Sequence, residues 1–181
     1  MIANNTIKCG DFEIGNDLPF MLIAGPCQME SRDHALMTAE KIKIITDKLN
    51  IPVVYKTSFD KANRTSINTK RGLGMEKALP IFEEVKKTFN MPVLTDVHEA
   101  AQCADLAEVI DILQIPAFLC RQTDLVVAAA QTGCILNIKK GQFLAPWDMK
   151  NVLNKAVESG NKNLMACDRC LLYTSPSPRD A

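Results

Sequence analysis

Val53-Val54-Tyr55-Lys56-Thr57-Ser58-Phe59-Asp60-Lys61-Ala62-Asn63-Arg64-Thr65-Ser66 passes directly from a β-branched run into a polar loop. The run Val53 to Tyr55 predicts a buried strand. The loop after it carries Lys56, Lys61 and Arg64 among Ser, Thr and Asn donors. In α/β proteins the loops at the C-terminal ends of strands hold the chemistry. Cations alternating with hydroxyl donors suit phosphate and carboxylate, because each oxygen can accept a charge-assisted hydrogen bond. Taken alone, these charges fit a solvated basic loop equally well.

The same strand-then-helix alternation extends on both sides. Upstream, Thr6–Gly10 and Phe12–Gly15 predict a hairpin about a Gly-Asp turn, and Met21–Ala24 a strand ending at Gly25-Pro26-Cys27. Residues 32–49 predict a helix with Ser31 as N-cap and Leu36, Ala39, Ile42, Ile45 and Leu49 along its apolar face. Downstream, residues 72–89 predict a helix whose apolar stripe is Met75, Ala78, Leu79, Phe82, Val85 and Phe89. Strands at 92–97, 111–116, 135–139 and 163–167 alternate with helices over 99–108, over 122–131, and from Pro146 to Gly160. Near-continuous apolar strands in this pattern argue for a parallel sheet covered by helices.

A dinucleotide-binding sheet and a (β/α)8 barrel share that alternation. The turn Gly25-Pro26-Cys27-Gln28-Met29-Glu30 lacks G-x-G-x-x-G, which argues against the first. Polar residues stand at the ends of successive strands, at Lys56, Asp96, Gln114, Lys139 and Arg169, as a barrel mouth requires. The expected fold is therefore an α/β TIM barrel, incomplete here, with six β/α units after the hairpin. Residues 1–169 form the partial barrel domain. The Ser-Pro-Ser-Pro-Arg-Asp end makes residues 170–181 an expected non-native or disordered tail.

The chain has 181 residues, 47% of them hydrophobic, with 21 basic and 21 acidic side chains. That balance describes a core-forming domain with no electrostatic signature for nucleic acid or membrane. No apolar run approaches the roughly 20 residues of a bilayer span. The start has no basic segment leading into an apolar one, so no signal peptide is expected. Seven scattered cysteines predict reduced thiols and a cytoplasmic location. Cys9, Cys103, Cys120 and Cys134 read as packing residues.

Each polar strand-end residue also has a plain reading. Lys139 beside Lys140 is a solvated pair, Arg121 a surface residue at a helix start, Asp96 a helix cap, and Gln114 a partner for a buried backbone group. Cys27 is a buried, inert thiol. Their recurrence at successive strand ends favours a site.

The string Phe59-Asp60-Lys61-Ala62-Asn63-Arg64-Thr65-Ser66 closely resembles the signature of the 3-deoxy-D-manno-octulosonate 8-phosphate synthases. The resemblance continues through Ala24-Gly25-Pro26-Cys27, Thr95-Asp96-Val97-His98-Glu99, the stretch from Gln114 to Asp124, and Asn137 to Phe143. The related 3-deoxy-7-phosphoheptulonate synthases share the Gly-Pro-Cys turn but differ at Asp60-Lys61-Ala62-Asn63-Arg64.

This resemblance implies condensation of phosphoenolpyruvate with D-arabinose 5-phosphate. It implies that Lys56 and Lys61 meet phosphoenolpyruvate near its carboxylate, and that Arg121, Lys139 and Arg169 hold its phosphate. Asn63, Arg64 and Thr65 would take the sugar phosphate, with Thr65 where the family usually has Ser. Asp96 and Gln114 would face the reacting centre.

At Cys27 the family divides, Cys accompanying dependence on a divalent metal (zinc, iron or manganese) and Asn the metal-free form. The remaining ligands come from later strands. No organic cofactor is implied, and a homotetramer is. His98 is expected to be structural. Two further readings stay open: a related heptulonate synthase, and a barrel fragment that binds phosphorylated ligands without turnover.

Overall fold

The computed structural model describes residues 5–169. β1 (Thr6–Cys9) and β2 (Phe12–Gly15) pair antiparallel, with Ile7 opposite Ile14 and Cys9 opposite Phe12, forming the expected hairpin. Six strands follow: β3 (Leu22–Ala24), β4 (Val53–Lys56), β5 (Val93–Asp96), β6 (Ile112–Ile115), β7 (Ile135–Lys139) and β8 (Leu164–Cys167). They make one parallel sheet in which every neighbour is next in sequence. A doubly wound sheet reverses its strand order at a switch point. This one never does, so it curls into part of a barrel.

The helices are α1 (Arg32–Leu49), α2 (Met75–Phe89), α3 (Cys103–Ala107), α4 (Thr123–Gln131) and α5 (Met149–Glu158). Side chains alternate across each strand, and the alternation divides the core in two. Val53, Tyr55, Val93, Leu113, Leu136 and Ile138 face outward onto Ala39, Phe82, Leu106, Val126 and Ala156 of the helices. Val54, Leu94, Ile112 and Ile135 face inward and meet Ile7 and Cys9 of the hairpin. The hairpin therefore closes the N-terminal end of the curled sheet. Burial pushes the Cys9 thiol up to about 12, consistent with a packing role.

Several local expectations are corrected. α2 starts at Met75 rather than residue 72, because Gly72 and Gly74 adopt φ of 130° and 82°. A β-carbon on Gly72 would stand 2.4 Å from the Phe59 carbonyl oxygen, so that close approach demands glycine. The expected helix over 99–108 is a 3-10 turn, Ala100–Gln102, followed by α3. Its cap is Glu99, which exchanges hydrogen bonds with Gln102, so Asp96 does not cap it. Pro146 likewise opens a 3-10 turn ahead of α5.

On α1, Ser31 caps as expected, its Oγ accepting from the His34 N–H at 3.1 Å. Ala35 and Ala39 are buried, but Ile45 and Leu49 are each 58% exposed. β3 is an edge of the sheet, so α1 packs on β4 and α2 from one side only. Among the described residues no helix is long and apolar enough to cross a membrane. Residues 170–181, the expected non-native or disordered tail, lie outside the described residues.

Candidate active site

The parallel strands end on one face, and their last inward side chains floor a cleft of about 380 Å³. Cys27, Lys56, Lys61, Asn63, Asp96, His98, Lys139, Gln142 and Arg169 line it, with Pro116 to Leu119 as an apolar wall. Register builds the floor. Asp96 pairs with Gln114 and Gln114 with Asn137 across three strands, so their side chains lie in one row. Asn137 Nδ2 donates to Gln114 Oε1 at 2.9 Å, and Gln114 Nε2 donates to Asp96 Oδ1 at 2.6 Å. All three are buried, and each hydrogen bond offsets the cost of removing an amide or carboxylate from water. Gln114 thus serves a side-chain relay and not the backbone.

Lys56 Nζ and Lys61 Nζ each stand 3.7 Å from Asp96 Oδ2. Burial pushes the Asp96 carboxyl up, but Lys56, the Gln114 hydrogen bond and Lys61 together outweigh it and hold its pKa below the usual value. Burial is also the largest influence on Lys56, whose pKa is lowered despite Asp96. Lys61 is held by a closed loop. Its N–H donates to the Arg71 carbonyl at 2.6 Å, and Arg71 Nε donates to Asp60 Oδ1 at 2.8 Å. The Gly74 N–H donates to the Phe59 carbonyl at 3.1 Å and completes the tie.

Gly25 lets the first βα turn press against β4, since a β-carbon there would lie 1.9 Å from the Lys56 carbonyl oxygen. That contact brings exposed Cys27 beside the lysines. Partial burial raises its pKa, but the Lys61 hydrogen bond and the charges of Lys61 and Lys56 prevail and lower it. Cys27 is therefore exposed, and the buried thiol of its plain reading is overturned. Among the described residues no three His, Cys, Asp or Glu side chains gather as a metal-holding group. Cys27 is a single donor, and the described chain does not by itself fit a divalent ion.

Other expected site residues fall outside the lining. The Arg64 guanidinium donates to Gln28 Oε1, and Thr65 is exposed. Arg121 is exposed at the start of α4, as its plain reading had it, and Gln114 is a buried member of the floor that does not line the cleft. Lys140 overturns the solvated pair: it is 2% exposed, while Lys139 turns into the cleft.

Three lining or floor residues were missed as site residues. Asn137 stands two positions before Lys139 on the same strand face, and that period-two spacing was the available signal. His98 lines the cleft with its ring edge-on to Phe59, centroids 5.6 Å apart. Burial lowers its pKa, and its Nδ1 has no partner within the described residues. Gln142 sits on a loop where nothing in the local sequence marks it.

A model of the DAHP synthetase I family matches residues 2–177. The chain is 61% identical over 167 residues to a Brucella anthropi protein named 2-dehydro-3-deoxyphosphooctonate aldolase, a match covering 92% of this chain and 60% of the relative. A Bartonella tribocorum protein of the same name is 62% identical over 166 residues, with the same two coverages. The chain thus spans about 60% of the length of the curated relatives it matches.

Proposed function

The chain belongs to the DAHP synthetase I family, and from that premise we propose that it carries out the condensation of phosphoenolpyruvate with D-arabinose 5-phosphate. The products are 3-deoxy-D-manno-octulosonate 8-phosphate and inorganic phosphate. C3 of the enol bonds to the aldehyde carbon, water adds at C2, and the C2–O bond to phosphate breaks. The observation that carries this reading is the charge of the cleft: Lys56, Lys61, Lys139 and Arg169 converge there around one carboxylate, Asp96. Such an excess of cations suits a ligand that brings both a carboxylate and a phosphate.

In this proposal Lys56 and Lys61 take the phosphoenolpyruvate carboxylate, and Lys139 and Arg169 its phosphate. Asp96 holds the two ammonium groups apart from the reacting carbon, and Gln114 and Asn137 fix the orientation of its carboxylate. Asn63, Arg64 and Thr65 meet the sugar phosphate once Arg64 leaves Gln28. Arg121 enters on resemblance alone. Cys27 is proposed as one thiolate donor to a divalent zinc, iron or manganese ion, and no step is assigned to that ion. A cytoplasmic, homotetrameric assembly completes the proposal. The string Asp60-Lys61-Ala62-Asn63-Arg64 and the names of the relatives favour the octulosonate over the heptulonate reaction.

Calorimetric titration tests the reading. Phosphoenolpyruvate should bind, and arabinose 5-phosphate should bind more tightly than erythrose 4-phosphate; equal affinity for the two sugars sinks the assignment. Arg64→Ala should remove a charge-assisted contact of about 1.5–3 kcal/mol, seen as weaker arabinose 5-phosphate binding with phosphoenolpyruvate unaffected.

A further inference from the structure

Lys139 and Lys140 are adjacent on β7 and its end, yet they point to opposite sides. Lys139 enters the cleft, and Lys140 is buried beneath the loop that follows. A buried ammonium needs acceptors for its three protons. Lys140 Nζ donates to the carbonyls of Gly141 at 3.3 Å and Leu144 at 3.2 Å, and stands 3.9 Å from Asp168 Oδ1. The Lys140 N–H donates to the Cys167 carbonyl at 2.9 Å, continuing the ladder between β7 and β8. Asp168 Oδ1 then accepts from the Arg169 N–H at 2.8 Å. One side chain therefore gathers the loop bearing Gln142 and the strand end bearing Arg169, and both of those residues line the cleft.

We propose that Lys140 is a positioning residue, whose ammonium holds Gln142 and Arg169 in place at the phosphate end of the cleft. The inference rests on the phosphoenolpyruvate reading above. Packing alone does not call for a lysine here, because well-packed apolar side chains often replace buried ionic groups at no loss of stability, while a buried charge requires partners. Lys140 has those partners, and all of them belong to the two segments it joins.

The test titrates the whole chain and its K140M and K140R variants separately with phosphoenolpyruvate and arabinose 5-phosphate, and follows amide hydrogen exchange. K140M should weaken phosphoenolpyruvate binding about tenfold and leave arabinose 5-phosphate nearly unchanged, as expected for lost charge-assisted bonds. Exchange should quicken at Leu144 and Arg169 but not in β4 to β6. K140R, which keeps the charge and donors, should restore most of the affinity.

Wild-type affinity and exchange in K140M would overturn the inference. So would equal weakening of both ligands with faster exchange across the sheet, the mark of general loosening. If K140M does not fold, D168N faces the same readouts: the same pattern at smaller amplitude supports the inference, and no change overturns it. A wild-type chain that binds no phosphoenolpyruvate, with exchange in K140M still altered as described, keeps the positioning role and removes the functional reading.

Discussion

The barrel interior has two layers built from the same strands. Val54, Leu94, Ile112 and Ile135 make the lower layer, sealed by Ile7 and Cys9 of the hairpin. One inward position further along, Lys56, Asp96, Gln114 and Asn137 make the upper layer, and Lys139 stands one inward position beyond Asn137. The two cysteines show the contrast in environment. Burial drives Cys9 up to about 12, whereas the lysines at the mouth bring Cys27 below its ordinary value. The lower layer is held by excluded water and the upper by paired charges. Stability and ligand binding should therefore separate between them.

The largest expected effect tests the lower layer. Leu94→Ala should cost about 2–5 kcal/mol in urea unfolding, through lost transfer energy and the cavity left behind. It should leave phosphoenolpyruvate affinity nearly intact; a matching loss of affinity would erase the distinction between layers.

Asp96→Ala should come next, at roughly 3 kcal/mol, because it leaves Lys56 and Lys61 facing each other without their shared counter-ion. Inorganic phosphate should bind this variant more tightly, since the one carboxylate opposing anions at that point is gone. Calorimetry reads both signs, and weaker phosphate binding would contradict the proposed charge balance.

A pH series sharpens the same point. The Asp96 pKa is lowered on folding, so its contribution is present above the unfolded value of about 3.9 and is lost as pH falls through the folded value. Stability of the wild type and Asp96→Asn should therefore converge in acid below that value. Curves that stay parallel would mean that Asp96 is not held by the lysines.

The smallest effect belongs on the outside. Ile45→Ser should change stability by no more than about 0.5 kcal/mol, because the side chain is more than half exposed. A larger loss would show that the α1 flank is covered after all.

Much of this was legible in the residues. Alternating β-branched runs and amphipathic stripes predicted each strand and helix within a few positions, because local periodicity follows from which face is buried. Lys56, Asp96 and Lys139 were visible as polar residues ending apolar strands, and Lys61 as a cation of the loop after β4. Where the expectations failed, the cause lay in neighbours distant along the chain. Ile45 and Leu49 carry the helical stripe yet stay exposed among the described residues, where β3 is an edge of the sheet.

Sequence by itself determined the β/α alternation, the Gly25-Pro26-Cys27 turn and the cation-rich loop after β4, because these depend on backbone sterics and local side-chain chemistry. Tertiary structure alone decided which residues share a layer. Strand register set Asp96, Gln114 and Asn137 in one hydrogen-bonded row. It also turned Lys139 and Lys140, neighbours of equal charge, into a cleft residue and a buried tie. A one-residue shift reverses the direction of a side chain on a strand, and only the paired sheet defines which direction faces the cleft.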